Sequence, residues 1–197
     1  MGKPKALLDF DGRTALRLVV EAAAAAGVET SAIVVGHRSA EVMAAHVFED
    51  LPGSRRWVLN ADEESEQIVS LQLGLKALGA EACEWFFIHP VDYPLVTAED
   101  YRLLLQSVIA KAGSRQDREP AVRVVYLSHD RRRGHPVLCR GDLAPALLAL
   151  GPAATAREVL EREPCAYVLT GNAGVLQDMD TPEDYQRLLA LHRAAQS

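Results

Sequence analysis

The spacing of apolar residues changes period repeatedly along the chain, and each change marks an element. Residues 14–26, TALRLVVEAAAAA, are dense in strong helix formers and are followed by Gly27, the residue type that often stands just past a helix end, so a helix is predicted. A β-branched run, SAIVVG at 31–36, predicts a strand; Ser39 then opens a second helical pattern, AEVMAAHVFED, that runs to residue 50. The alternation continues with RRWVLN at 55–60, a helix near 67–78, CEWFFIHP at 83–90, and a helix over 98–112 capped by Thr97. Short, fully apolar strands joined by helices predict an α/β protein with a mainly parallel sheet.

The later part of the chain is less regular. GSRQDRE at 113–119 is a polar loop rather than a domain boundary, because strand-like AVRVVYL follows at once. Residues 128–136 form a basic loop, PVLCR returns as a strand, and two short helices follow around 144–150 and 156–161. AYVLT at 166–170 is a further strand, VLQDMD at 175–180 ends like one, and a last helix begins at TPEDY. There is no internal repeat, and the alanine run at 22–26 is plain helix.

Composition narrows the class. A chain of 197 residues predicts one domain, and 49% hydrophobic with 24% charged residues is ordinary for a globular protein. The formal charge of -6 lacks the global electrostatic footprint of a nucleic-acid binder. No window is apolar for the ~18 residues a membrane span needs, and MGKPKALLDFDG has no secretory apolar stretch, so a cytoplasmic protein without nucleic-acid or membrane partners is expected. Cys83, Cys139 and Cys165 are odd in number and far apart, which argues for a reducing compartment and against structural zinc.

Five segments carry candidate chemistry. LLDFDGRT places Asp9 and Asp11 as a haloacid-dehalogenase-type phosphatase places its nucleophile and acid/base, although Arg13 intrudes before Thr14; a tight turn at Asp11-Gly12 explains the same residues. FFIHPVDYPLV delivers Asp92 to the C-terminal edge of a parallel sheet, between two prolines, where a carboxylate suits a divalent cation. In VLQDMDTPEDY, Thr181, Pro182 and Asp184 make a helix start, but capping leaves Asp178 and Asp180 unexplained, and one of them is expected to face Asp92. HDRRRGHPVLCR sets a Gly-His-Pro turn beside Arg131, Arg132 and Arg133, which suits a phosphorylated ligand as well as a solvated loop. NADEESEQIVSLQLGL ends a strand at Asn60 and places Ser70 and Gly74 on a helix that comes close to a neighbour.

Taken in order, MGKPKALLDFDGRTAL, IVVGH, Asn60 with SLQLGL, PVDYPLV, RGHPVL and DMDTPEDY resemble the MobA-like nucleotidyltransferase family, in particular its molybdenum cofactor cytidylyltransferase branch. The resemblance implies a Rossmann-like three-layer α/β/α fold of the nucleotide-diphospho-sugar transferase type, with a small substrate lobe. It implies transfer of CMP or GMP from CTP or GTP to the phosphate of molybdopterin, with release of pyrophosphate and use of Mg2+. Carried over by position, Lys5 and Asp92 are catalytic; Lys5, Asn60, Ser70 and Leu71 bind the nucleotide; Gly134, His135 and Pro136 line the acceptor; Asp92 with Asp180 or Asp178 binds the metal. A molybdoenzyme is an expected partner.

The pattern departs from the family at its start. Members open with a strand and a loop of the form L-A-A-G-x-S-x-R immediately before the position of Met1-Gly2, so residues 1–197 read as one nucleotidyltransferase-like domain lacking its first strand and glycine-rich loop, with coding sequence expected upstream. Glu66 stands where glycine is common, and His89-Pro90-Val91 replaces the usual approach to the metal Asp. The alternatives are a sugar-phosphate nucleotidyltransferase and a non-catalytic accessory protein that binds the cofactor.

Overall fold

The computed structural model describes residues 3–36, 39–46, 48–62, 64–112 and 121–196. The polar segment 113–119, His37 of IVVGH and the opening Met1-Gly2 therefore lie outside the described residues. A 3-10 turn, Lys5–Leu7, leads into a minimal antiparallel pair, β1 (Asp9–Phe10) and β2 (Arg13–Thr14). Between them Asp11 and Gly12 take φ of 53° and 87°, a left-handed turn that these two residue types tolerate. The Gly12 N–H donates to Asp9 Oδ1 at 3.1 Å, and Asp11 pairs with Arg193. The two acids are thus used by the turn and the chain terminus, and the phosphatase-like spelling is turn chemistry.

The remaining elements are α1 (Ala15–Ala25), β3 (Thr30–Val35), α2 (Ser39–Ala44), β4 (Ser54–Leu59), α3 (Gln67–Leu78), β5 (Trp85–Ile88), α4 (Ala98–Ala112), β6 (Val124–His129), β7 (Arg132–Arg140), α5 (Ala144–Leu148), α6 (Arg157–Leu160), β8 (Cys165–Leu169) and α7 (Pro182–Ala194). Caps set several boundaries. Thr14 accepts from the Arg17 N–H at the start of α1, and Thr181 with Asp184 forms a capping box at the start of α7.

Three expectations needed correction. The second helix stops at Ala44 rather than running to residue 50, because the following residues are spent on packing: His46 is buried, with Nε2 2.5 Å from Thr14 Oγ1, and its ring stacks on Phe48. The basic loop at 128–136 is mostly strand. His129 pairs with Arg132 across a two-residue turn in which Asp130 and Arg131 have φ of 48° and 63°, so β6 and β7 form a tight hairpin. An arginine in a left-handed turn carries no glycine signal, which is why the pattern missed it. Finally, residues 175–180 are not a strand; a 3-10 turn, Ala173–Leu176, takes up the first two of them, and Asp178 and Asp180 follow it in irregular backbone.

The larger sheet has the order β5-β7-β6-β8. β6 and β8 are parallel, β5 runs the same way, and only β7 opposes them. Side-chain alternation divides this sheet between two cores. Phe86, Val124, Tyr126, Val137 and Cys139 face α3, α5 and α6, while Phe87, Val125, Leu127, Leu138 and Val168 face α1 and α4. This is a three-layer α/β/α arrangement. β3 and β4 form their own parallel pair, registered from Thr30↔Ser54 to Val35↔Leu59, and β3 packs with α1 through Ile33, Val35, Leu16 and Val20. α3 crosses close above β3 at Gly74, where an added Cβ would meet Val34 Cγ2 at 3.2 Å.

One irregularity positions the site. The β6–β7 register passes from Tyr126↔Val137 to Leu127↔Gly134, so His135 and Pro136 bulge out of the ladder. Their peptide bond is cis. A bulge is where a strand interior tolerates proline and re-aims a side chain. No described helix is long and apolar enough to cross a membrane.

Candidate active site

β5 ends at Ile88 and the chain enters the loop 89–97 that carries Asp92. His89 braces this loop. Its Nε2 lies 3.0 Å from the Tyr93 carbonyl, which can only accept, so Nδ1 is the bare nitrogen that accepts the Tyr101 hydroxyl. Burial holds His89 neutral, with its pKa pushed down to about 3. Asp92 then projects from a loop whose own backbone is tied down.

Lys5 reaches the same place from the other end of the chain. Its Nζ is 2.5 Å from Asp180 Oδ1 and 3.8 Å from Asp92 Oδ2. The two acids differ in setting: the Asp180 side chain is 63% exposed and that of Asp92 23%. Burial raises the Asp92 carboxyl above the ordinary carboxylate range; Lys5 opposes this, and Asp180 and Asp178 add to it. Asp92 Oδ1 is buried without a hydrogen-bond partner. A buried carboxylate oxygen with no donor, crowded by two further acids and offset by one lysine, is a place where a cation is electrostatically wanted.

The bulge brings His135 over this loop, its ring 4.4 Å from that of Tyr93. Burial lowers the His135 pKa to about 4, and the ring hydrogen-bonds the Ile88 backbone. Its Nδ1 is buried and unpartnered. Gly134 is required by packing, since a Cβ there would lie 2.6 Å from Val175 Cγ2. Lys5, Asp92, Asp180, Tyr93 and His135 are thus one neighbourhood, with Asp178 acting on it electrostatically.

Asn60 and Ser70 form a second group. Asn60, at the C-terminal end of β4, is buried and donates to Ser70 Oγ at 2.9 Å and Ser65 Oγ at 2.8 Å, while its Oδ1 accepts the Asp62 N–H. Leu71 does not join them by its side chain, which packs into the core beneath α3. Among the described residues no three His, Cys, Asp or Glu side chains converge as a ready-made metal cluster. The cysteines are free: Cys139 is buried, Cys83 half-buried and Cys165 exposed.

Pattern reasoning missed His89, Tyr93 and the buried Asp100. The first two were visible only as part of His-Pro-Val-Asp-Tyr-Pro, and Asp100 was visible as nothing more than a first-turn helix acid.

A family model for the MobA-like NTP transferase domain matches residues 1–166. The chain belongs to that family. The chemistry of a MobA-like NTP transferase is nucleotidyl transfer from a nucleoside triphosphate. A search of curated proteins finds no match. Among solved structures, Rv0371c of Mycobacterium tuberculosis H37Rv aligns with a TM-score of 0.74 at 22% identity, over 96% of this chain and 91% of that one. A structure of Rv0371c in complex with manganese aligns with a TM-score of 0.71 at 21% identity, over 96% and 93%. A nucleotidyl transferase from Methanothermobacter thermautotrophicus, Mth528, gives 0.74 at 21% identity over 97% and 86%. The molybdopterin-guanine dinucleotide biosynthesis protein A of Archaeoglobus fulgidus gives 0.63 at 15% identity over 98% and 92%. These likenesses show a shared fold, that of the nucleotide-diphospho-sugar transferases.

Proposed function

We propose that this MobA-like transferase moves CMP or GMP from CTP or GTP to the terminal phosphate of a molybdopterin-type acceptor, releasing pyrophosphate. The arrangement that carries the reading is Lys5 set between Asp180 and the half-buried Asp92, whose Oδ1 is buried and has no partner. Family membership supplies the reaction class, and the likeness to the Archaeoglobus protein supports a pterin acceptor.

The residues present fit a divalent cation. Magnesium and manganese commonly take one or two protein carboxylates and complete their shells with water and substrate phosphates, and the site offers Asp92 with Asp180 or Asp178. When bound, such an ion would neutralise charge on the triphosphate and the departing pyrophosphate. Lys5 brings a second positive charge to the same phosphates. An acceptor phosphate oxygen attacks the α-phosphorus, and the bond to the oxygen shared with the β-phosphate breaks, its electron pair leaving with pyrophosphate. An ionised acceptor phosphate needs no strong base, so alignment and charge stabilisation are the work of the chain. Asn60 and Ser70, with the backbone of Leu71, would meet the nucleotide. Gly134, His135 and Pro136 would line the acceptor, with the His135 ring held neutral by burial.

Pyrophosphate release tests the reading, with CTP and GTP, with and without molybdopterin, in wild type and Asp92→Asn. Acceptor-dependent release by wild type that falls on the order of 10²- to 10³-fold in the variant is expected. Equal rates in the two proteins would overturn it. Release with a sugar phosphate in place of molybdopterin would reassign the acceptor.

A further inference from the structure

Asp100 is 1% exposed, yet it is surrounded by donors. Its Oδ2 accepts the Thr97 N–H at 2.9 Å, the Thr97 hydroxyl at 2.8 Å and the Asn172 side-chain amide at 2.6 Å; its Oδ1 accepts the Thr170 hydroxyl at 2.7 Å. All four donors are neutral, and the carboxylate sits in the first turn of α4, where the helix dipole favours negative charge. A capping box would use only the Thr97 contacts. The other two reach 70 and 72 residues along the chain.

What those contacts join is specific. Thr97 closes the loop that carries Asp92, and Thr170 and Asn172 open the segment that runs on to Asp178 and Asp180. The same Asn172 amide also donates to the Leu95 carbonyl at 3.0 Å, inside the Asp92 loop. Gly174 lets the two backbones meet there, since its Cβ would stand 2.7 Å from Leu95 Cβ. At the site itself, Lys5 is the one side chain among the described residues that ion-pairs with both Asp92 and Asp180.

We propose that Asp100 is a positioning residue: one buried carboxylate clamps together the two segments that carry the site's acids and so sets their affinity for a divalent cation it never touches. The proposal rests on the reading of Asp92 with Asp180 or Asp178 as the cation site. Asp100→Asn keeps one accepting oxygen but sets an N–H₂ in place of the other, so either the Thr170 donor or the Thr97 and Asn172 donors lose their acceptor, and the clamp loosens. Loss of outer residues that orient metal ligands commonly weakens binding about 10- to 100-fold, and a loss in that range is expected here.

The experiment is titration of the whole protein with Mn2+, following the free-ion electron paramagnetic resonance signal, alongside a folding check by circular dichroism. Wild type is expected to bind, Asp92→Asn to lose binding, and Asp100→Asn to stay folded but bind about 10- to 100-fold more weakly. Thr170→Ser keeps the hydroxyl donor to Oδ1 and is expected to bind Mn2+ as wild type does, whereas Thr170→Val binds more weakly, a contrast that a generally loosened fold would not give. Should Asp100→Asn fail to fold, Thr170→Val removes the donor to Oδ1 together with the acceptor of the Asn172 N–H, and is expected to weaken Mn2+ binding by several-fold. Wild-type affinity in a folded Asp100→Asn, or in Thr170→Val, overturns the proposal while leaving the Asp92 site standing. A wild-type protein that binds no Mn2+, or an Asp92→Asn variant that binds as well as wild type, overturns the cation reading beneath it.

Discussion

Asp92 and Asp100 stand eight positions apart, the first half-buried and the second fully buried, and the surroundings of the two carboxylates are opposite. Asp100 has an acceptor role filled by four neutral donors on three residues from two parts of the chain. Asp92 has an oxygen with no donor, two acids nearby and a single lysine at 3.8 Å. Burial alone therefore says little about an acidic side chain. A satisfied carboxylate holds structure together, and an unsatisfied one is held in readiness by structure, at some cost to stability.

The largest effect that tests this contrast is at Asp92. Asp92→Asn is expected to lose nucleotidyl transfer on the order of 10²- to 10³-fold, and to unfold at a higher urea concentration than wild type. The sign follows from linkage: a carboxyl whose folded pKa is raised is less favourably ionised in the fold than in the unfolded chain, so an uncharged substitute relieves a penalty at neutral pH. A variant that is both inactive and clearly less stable would break the comparison.

Next comes the packing around Asp100. Gly174→Ala is expected to cost about 1–3 kcal/mol in urea unfolding, because the added Cβ would lie 2.7 Å from Leu95 Cβ and 2.8 Å from its carbonyl oxygen. An unchanged midpoint would show that the two segments are not held in contact.

Acid titration sharpens the picture further. His89 and His135 titrate near 3 and 4 in the fold against an ordinary 6.5, so below about pH 6.5 the unfolded chain binds more protons. Stability is therefore expected to be fully present above pH 6.5 and to fall progressively toward pH 3–4. Asp92 works in the other direction, since protonation relieves its burial, and it partly offsets the loss. Urea midpoints at pH 7, 5 and 4 measure the slope; a flat profile would mean that the two imidazoles are not buried neutral. The smallest effect is at the entry to α7, where Thr181→Ala should cost about 1 kcal/mol by thermal melting.

How much was legible beforehand follows the range of the interactions. The helix at 67–78 and the cap at Thr97 could be read directly, because apolar period and capping are local. The cap at Thr181 is local in the same way, whereas Thr14, read as the first helical residue, caps the helix instead. The hairpin at Asp130-Arg131 could not, since its turn conformation is imposed by the pairing of β6 with β7 rather than by a glycine. Residues 175–180 were mistaken for a strand because alternation does not reveal whether a partner strand lies alongside.

The sequence by itself determined the α/β class, the order of most elements and the turn that occupies Asp9 and Asp11. It also singled out Lys5, Asp92 and the alternatives Asp178 and Asp180, though not how they meet. Only the tertiary structure decided that Lys5 bridges Asp180 and Asp92, that His135 bulges over Tyr93, and that Asp100 is a buried junction rather than an ordinary first-turn acid. The physical reason is the same in each case. Propensity and capping act within a few residues, whereas desolvation and hydrogen-bond satisfaction depend on groups brought together across 70 to 175 positions of chain.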